Sequence, residues 1–152
     1  MLKKEDQAPG FELTDDSGTT TTLSELLEDG PIILYFYPKD FTSVCTRQAC
    51  MVRDTHERIE AAGLRVIGIN SEKADKHSRF REHHGLPFRL LVDPGREVAR
   101  AYEAVGPCGL YTARVSYLIG ADGVSQGSVR ADLRLAPHKQ LIDSALANRK
   151  AD

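Results

Sequence analysis

The chain contains 152 residues, of which 41% are hydrophobic and 28% are charged, with a formal net charge of -2 at pH 7 and an isoelectric point near 6.2. This size and this balance predict one globular domain over residues 1–152, with an apolar core of its own. The near-neutral charge gives no general attraction to nucleic acid or to an anionic membrane, and the longest apolar run, residues 31–38, is far too short to cross a bilayer.

The N-terminal segment predicts a hairpin and a short helix. Residues 1–6 turn acidic where a secretory signal would need a long apolar run, so we expect a cytoplasmic protein with reduced thiols. Two β-rich stretches, residues 11–14 and 19–23, flank the turn sequence Asp-Asp-Ser-Gly, which predicts an N-terminal hairpin. Ser24 is the expected N-cap of the helix that follows.

The middle of the chain predicts buried strands that alternate with helices. Residues 32–37, Ile-Ile-Leu-Tyr-Phe-Tyr, are uniformly apolar and β-rich, which predicts a strand buried on both faces in the centre of a helix-covered sheet. A long helix should follow as far as about Ala62 and end at Gly63. Further strands are expected at 64–69 and 88–92, and further helices at 73–84 and 95–103.

The last third of the chain predicts a second hairpin and a closing helix. Residues 115–119 and 124–129 flank Gly-Ala-Asp-Gly, in which Asp-Gly is a strong hairpin signal. A helix with one apolar face should begin at about Pro137. Strand-helix-strand units followed by a hairpin and a helix are the order of an α/β fold of the thioredoxin-like sandwich type, with a central mixed sheet flanked by helices.

Cysteine and histidine usage restricts the chemistry. Three cysteines, Cys45, Cys50 and Cys108, are too few and too odd in number for a structural disulfide framework. Structural zinc is disfavoured because Cys-x4-Cys has no matching second pair and the histidines miss the usual finger spacings. The basic stretch at 73–84 has interspersed acids and a helical period, which favours a solvated helix face over a nucleic-acid patch. The sequence therefore implies no metal, no organic cofactor and no nucleic-acid partner.

Cys45 lies in the segment that joins the buried strand to the long helix, and such junctions in open α/β sheets are where ligands bind. If Thr42 is the N-cap, Cys45 falls in the first helical turn, whose free N–H groups and dipole favour a thiolate. The dipole contributes only about 0.3 to 1 kcal/mol, which is too little to ionise a thiol fully at neutral pH. A nearby cation is therefore expected.

Helical periodicity separates the two cysteines of the long helix. At about 100° per residue, one inward stripe is predicted, with Cys45 at its edge and Cys50 nearly opposite and facing outward. The stripe comprises Val44, Met51, Val52, Thr55, Ile59 and Ala62. Because a free cysteine is usually buried, an outward Cys50 favours a chemical role over that of a small core residue.

The segment Tyr-Phe-Tyr-Pro-Lys-Asp-Phe-Thr-Ser-Val-Cys-Thr-Arg-Gln-Ala-Cys, residues 35–50, resembles the active-site segment of the bacterioferritin-comigratory, or Q-type, peroxiredoxins. It contains the family's Pro-x3-Thr-x2-Cys motif and a second cysteine five residues later. Residues 8–13 are similar to the family's N-terminal Ala-Pro-Asp-Phe segment, and residues 114–119 to the strand that carries its arginine. Two departures are Ser43-Val44 in place of the usual Pro-Gly and Gln48 in place of a common Glu.

The resemblance implies a thiol-dependent peroxidase that reduces hydrogen peroxide and organic hydroperoxides. Carried over by position, Cys45 is the peroxidatic cysteine, and Cys50 resolves its sulfenic acid as an intramolecular disulfide. The family's remaining roles fall on three residues: Thr42 and Arg114 orient and polarise the peroxide, and Pro38 shields the pocket. A thioredoxin-type dithiol should reopen the disulfide, because an internal disulfide needs a dithiol reductant. The resemblance leaves a monomer and a weak homodimer equally open.

Two alternatives stay open on the sequence alone. A dithiol-disulfide oxidoreductase on the same fold would want Cys-x-x-Cys, which is absent. The other alternative is a redox-sensitive binding or chaperone module that acts through an exposed apolar surface. For Cys108, in the turn-like sequence Gly-Pro-Cys-Gly, the interpretations are a spectator thiol, a back-up resolving cysteine and an intermolecular disulfide.

Overall fold

The computed structural model describes residues 1–150, whose strands form one mixed sheet. The strands are β1 (Glu12–Asp15), β2 (Thr20–Thr22), β3 (Ile32–Phe36), β4 (Arg65–Asn70), β5 (Arg89–Val92), β6 (Val115–Ile119) and β7 (Ser125–Arg130). Their order across the sheet is β2-β1-β5-β4-β3-β6-β7. β4 pairs in parallel with β3 and with β5, whereas the other pairings are antiparallel. The predicted mixed sheet with an N-terminal hairpin is confirmed.

The helices cover both faces of this sheet. They are α1 (Leu23–Leu27), α2 (Ser43–Ala61), α3 (Ala74–His84), α4 (Glu97–Ala101) and α5 (Ala136–Lys150), with short 3-10 turns at Pro94–Arg96 and Pro107–Gly109. Among the residues that the structure describes, no helix combines the length and the hydrophobicity needed to cross a membrane.

Side chains of β3 alternate between two apolar layers. Its odd-numbered residues, Ile33 and Tyr35, face the layer of α2, α3 and α5. Its even-numbered residues, which include Ile32 and Phe36, face the layer of α1 and α4. All five residues of the strand are buried, because β4 and β6 flank it and helices cover both of its faces. The buried strand therefore fixes the place from which the following loop leaves the sheet.

The two hairpins form where the turn sequences predicted them. Thr22 ends β2 and also caps α1, because its side-chain oxygen accepts a hydrogen bond from the backbone N–H of Glu25 at 3.2 Å. The prediction of Ser24 as this N-cap is therefore wrong. Between β6 and β7, Gly123 adopts a left-handed backbone with φ of 81°, and its N–H donates to the Gly120 carbonyl at 2.9 Å.

Helix α4 is shorter than the predicted helix at 95–103. The buried carboxylate of Asp93 accepts hydrogen bonds from the backbone N–H groups of Val98 and Ala99, at 3.0 and 2.9 Å. Arg96, with φ of 59°, precedes the helix in a left-handed conformation. The carboxylate therefore satisfies the first free N–H groups and fixes where α4 begins.

The buried face of α2 is rotated relative to the prediction. The buried residues are Cys45, Gln48, Ala49, Val52, Thr55 and Ile59. Val44 and Met51 are only partly buried, and Cys45 lies within the buried face, not at its edge. The prediction ranked residues by their apolar character, so it could not place the polar Gln48 inside. Gln48 is buried because it has a hydrogen-bond partner there.

Candidate active site

Cys45 lies at the start of α2, directly after the loop that leaves β3. Thr42 is the N-cap, with an extended backbone, and Cys45 is the third helical residue and is 1% exposed. The backbone N–H of Thr46 donates to the Thr42 carbonyl at 2.8 Å and closes the first turn. The earlier N–H groups of this turn have no acceptor within the helix, so the sulfur lies near the positive end of the helix dipole.

Arg114, immediately before β6, supplies the cation that the sequence requires near Cys45. Its Nη2 donates a hydrogen bond to Cys45 Sγ at 3.1 Å, and its side chain is buried. Nη1 donates to Gln48 Oε1 at 2.7 Å, and Nε donates to the Asp132 carbonyl at 2.9 Å. A cationic donor at this distance stabilises a thiolate relative to a thiol.

The backbone of Arg114 is held by the segment after β7. Its N–H donates to Asp132 Oδ1 at 3.1 Å, and its carbonyl accepts from the N–H of Ala131 at 3.2 Å. That segment is attached in turn to His138, whose Nε2 contacts the Ala131 carbonyl at 2.9 Å and whose Nδ1 contacts Ser116 Oγ at 2.7 Å. Burial lowers the pKa of His138 and favours its neutral form. Because a carbonyl only accepts, Nε2 carries the hydrogen and Nδ1 accepts from the serine.

Gln48 is a site residue that the sequence reasoning did not assign. It is buried, one helical turn after Cys45, and its carbonyl oxygen pairs with Arg114. Its spacing of three from Cys45 is the signal that could have placed it on the same helix face. Because glutamine is neutral, this contact orients the guanidinium without cancelling its charge.

Thr42 and Pro38 lie in the loop before α2, at different depths. Thr42 is exposed, and its hydroxyl donates to the Lys39 carbonyl at 2.9 Å instead of capping the helix. Its oxygen keeps free lone pairs, so it can only accept from a bound ligand. Pro38 is half-buried. Of the predicted site residues, Cys45 and Arg114 are in direct contact. Thr42 and Pro38 lie in the loop that precedes Cys45 in the chain.

Cys50 is half-buried on α2, and all three cysteines, including the exposed Cys108, are free thiols. Residues five apart on a helix have Cα atoms roughly 8.7 Å apart, whereas a disulfide needs about 4.4 to 6.8 Å. Cys45 and Cys50 therefore cannot bond while this helix is intact. Arg53 lies three residues after Cys50 on α2, and its hydrogen bond to Asp54 raises the pKa of its guanidinium.

A buried network joins the loop to α3. Tyr37 Oη donates to Asp40 Oδ1 at 2.5 Å, and His77 Nδ1 lies 2.5 Å from Asp40 Oδ2. His77 Nε2 contacts the Leu91 carbonyl at 3.1 Å. Burial raises the pKa of Tyr37 well above its usual value, so its hydroxyl stays protonated and donates. Helix α3 therefore has a buried face, which carries His77 and Phe80, opposite the solvated face that the sequence predicted.

An aromatic cluster follows at the surface. Phe41 has a left-handed backbone with φ of 64°, and its half-exposed ring lies 5.1 Å from the Phe80 ring and 6.2 Å from the His84 ring, centroid to centroid. Arg53 Nη1 donates to the His84 carbonyl at 2.7 Å. Helix α3 therefore contacts the chain both before and after the two cysteines of α2.

The structure offers no metal centre in the part of the chain that it describes. Within residues 1–150, no group of three or more histidine, cysteine or acidic side chains is arranged to hold a metal ion. Cys108 lies apart in the 3-10 turn Pro107–Gly109, in a left-handed conformation with φ of 57°. The hydrogen bond between Arg114 and Cys45 is the starting point for the chemistry that this site supports.

Comparison with known proteins agrees on one family. The model of the AhpC/TSA family matches residues 5–126. The peroxiredoxin Bcp of Bacillus subtilis (strain 168) is 43% identical over 97 residues, which cover 64% of this chain and 61% of that protein. The chloroplastic peroxiredoxin Q of Oryza sativa subsp. japonica is 37% identical over 126 residues, which cover 82% of this chain and 58% of that protein.

A solved structure is similar to this chain over nearly its whole length. The crystal structure of peroxidoxin BcpB from Mycobacterium tuberculosis has a TM-score of 0.88 and 30% identity to this chain, and covers 99% of this chain and 98% of that one. This chain therefore belongs to the AhpC/TSA family, and its resemblance to peroxiredoxins of the Q and Bcp kind is confirmed. It spans less than two thirds of the length of the rice and Bacillus relatives.

Proposed function

We propose that this protein is a thiol-dependent peroxidase that reduces hydrogen peroxide and organic hydroperoxides through Cys45. The observation that supports this most directly is the hydrogen bond of 3.1 Å from Arg114 Nη2 to Cys45 Sγ, at the start of α2. The site combines a nucleophile with fixed donors for the anion that leaves when an O–O bond breaks. A dithiol-disulfide oxidoreductase would instead need a Cys-x-x-Cys pair, which is absent from the sequence.

In the first step, the Cys45 thiolate attacks one peroxide oxygen. An S–O bond forms as the O–O bond breaks, Cys45 becomes a sulfenic acid, and the departing oxygen leaves as an alcohol or water after taking a proton. Arg114 and the free N–H groups of the first turn stabilise the departing charge. Thr42 accepts a hydrogen bond from the peroxide O–H, because its own hydrogen is engaged by Lys39. Pro38 shields the pocket from water.

In the second step, the Cys50 sulfur attacks the sulfenic sulfur of Cys45. The disulfide forms and a water molecule leaves, and α2 must unwind over its first turns because of the distance between the two residues. A thioredoxin-type dithiol then reduces this disulfide by thiol-disulfide exchange and is itself oxidised. Cys108 is a spectator in this cycle.

The wider setting of the enzyme is part of the same proposal. Residues 1–152 act as one domain, as a monomer or a weak homodimer, on a hydroperoxide substrate and a thioredoxin-type reductant. A cytoplasmic location suits the cycle, because thiol-based reducing systems operate there.

Peroxide consumption in the presence of a thioredoxin reducing system tests the proposal. Wild type and Cys108→Ser should consume peroxide at the same rate, whereas Cys45→Ser should be inactive because it lacks the nucleophile. Cys50→Ser should form the sulfenic acid once and then stop in this assay. Retention of even about a tenth of the wild-type rate in Cys45→Ser, which is roughly 1.4 kcal/mol in the barrier, would show that another group reduces the peroxide.

A further inference from the structure

The segment that must unwind is attached to α3 on both sides. Before it, Asp40 pairs with the buried His77, and the Phe41 ring packs on Phe80. After it, Arg53 donates to the carbonyl of His84. These contacts involve side chains of the loop and of α2, and they join elements that are distant in sequence. Peroxide attack by Cys45 uses none of them directly, so they need a separate explanation.

In the network around the Asp40–His77 contact, each donor faces an acceptor. The Leu91 carbonyl only accepts, so His77 Nε2 carries a hydrogen and donates it. Tyr37 donates to one carboxylate oxygen, and the other shares a hydrogen with His77 Nδ1. Both side chains are fully enclosed. Losing one partner would leave a polar atom of the other buried without a hydrogen-bond partner, so the pair holds the loop to α3 strongly.

The backbone next to this pair is strained. Phe41 adopts the left-handed region, which a residue with a bulky side chain avoids, and it does so one residue before the N-cap of α2. Such a conformation persists only where surrounding contacts determine it, and here these are the Asp40–His77 pair and the packing of the Phe41 ring on Phe80. Release of these contacts would let the residue relax to an ordinary backbone and would withdraw the support of the first turn.

We propose that His77 is a positioning residue that acts as a latch: through Asp40 it holds the loop before Cys45 in the shape that presents the thiol, and its hold on that loop limits the rate at which Cys50 can close the disulfide. This proposal rests on the proposed peroxidase cycle and adds to it the element that sets its second step. The catalytic residues remain those that touch the peroxide or the reacting sulfurs.

The latch predicts unequal effects on the two steps. Peroxide attack uses the helical form, which stays the major population even if the unwound form rises from about 1% to 10%. Disulfide formation passes through the unwound form, so its rate should rise in proportion to that population. A weakened latch should therefore speed disulfide formation about tenfold while attack changes less than about twofold. It should also shorten the life of the sulfenic acid and so protect Cys45 from oxidation to the sulfinic acid.

Single-turnover reactions can measure both steps in the reduced protein. Each sample is mixed with one equivalent of hydrogen peroxide, quenched with a thiol-alkylating reagent at set times, and analysed by mass spectrometry for free thiol, sulfenic acid and disulfide. His77→Phe keeps a ring but removes both hydrogen bonds. Asp40→Asn is the conservative variant, because the amide oxygen can accept from Tyr37 and the amide nitrogen can donate to His77 Nδ1. Asp40→Asn should retain most of the latch, so its rate of disulfide formation should be closer to that of wild type than to that of His77→Phe.

Two further variants keep the test decisive. Asp93→Ala removes a buried carboxylate that caps α4, and so controls for a general loss of stability. Phe41→Ala removes only the half-exposed ring, so it should fold even if His77→Phe does not, and should speed disulfide formation by about threefold.

The proposal is overturned if disulfide formation in His77→Phe and Phe41→Ala is no faster than in Asp93→Ala. It is also overturned if the rate of peroxide attack changes by as large a factor as the rate of disulfide formation. Failure of wild type to form any sulfenic acid or disulfide would instead overturn the peroxidase function itself, so the two failures are distinguishable.

Discussion

Cys45 is held between two regions that are built differently. On the arginine side, formed by Arg114, Gln48 and the segment at 131–132, the sulfur contacts a guanidinium whose backbone lies directly beside the β6–β7 strand pair. On the loop side, residues 37–42 are irregular and are held to α3 by side chains. The hydrogen bond from Arg114 to the sulfur comes from the arginine side.

This difference divides the work of the reaction between the two regions. A strand pair keeps its shape when one helix turn is lost, because its backbone hydrogen bonds do not depend on that helix. The loop side has no such backbone ladder, so it can open when the cysteines come together. The arginine side therefore keeps the charge needed for attack, and the loop side supplies the movement needed for disulfide formation.

Hydrogen exchange on the two redox forms gives the largest expected contrast. In a verified Cys45–Cys50 disulfide form, amides from 44 to 53 should exchange at least about a hundredfold faster than in the reduced form, because their helical hydrogen bonds are lost. Amides of β3 and β6 should be nearly unchanged. Equal protection of the start of α2 in both forms would show that the helix does not have to unwind.

Arg114→Lys should have the next largest effect, on the first step. A lysine has one ammonium group and cannot contact Cys45, Gln48 and the Asp132 carbonyl together, as the planar guanidinium does. Loss of a charge-assisted hydrogen bond worth about 1.5 to 3 kcal/mol should slow peroxide attack by roughly ten- to a hundredfold. Rapid-mixing kinetics of the reduced protein would measure this, and an unchanged pH-rate profile would argue against the role of Arg114.

Gln48→Leu should weaken the same side to a smaller degree. The leucine keeps the volume but leaves Arg114 Nη1 without its acceptor at 2.7 Å. The guanidinium keeps its contact with the sulfur, so attack should slow by about three- to tenfold, as expected for one lost hydrogen bond. Rapid-mixing kinetics of the reduced protein would measure the slower attack, and an unchanged rate would show that this contact does not orient the guanidinium.

The sequence was sufficient for the parts of this site that depend on local pattern. Periodicity and turn residues predicted the sheet, both hairpins and the start of α2 near Cys45. Because the helix dipole is too weak to ionise the thiol alone, the sequence also predicted a cation near Cys45. The contacts of Gln48 and His77 could not be read in this way. Both are polar residues that are buried because of partners distant in sequence, Arg114 and Asp40, and no local signal shows such a pairing.

His138 gives the smallest effect and tests the support behind the arginine side. Burial lowers its pKa in the folded protein below the ordinary value of 6.5, so the unfolded chain takes up a proton first as the pH falls. The neutral histidine therefore contributes stability above about pH 6.5, and this contribution is lost as the pH falls through the folded-state pKa. The hydrogen bond that Nδ1 accepts from Ser116 depends on the neutral form, whereas Nε2 donates to the Ala131 carbonyl in either form.

His138→Gln should remove this dependence, because glutamine does not titrate. Urea unfolding of the reduced protein should find wild type more stable than His138→Gln above about pH 6.5, with a difference that shrinks as the pH is lowered. Since the Ala131 segment also holds the backbone of Arg114, peroxide attack should slow slightly in the variant, by about two- to threefold. A stability difference that stays constant with pH would mean that folding does not change the pKa of His138.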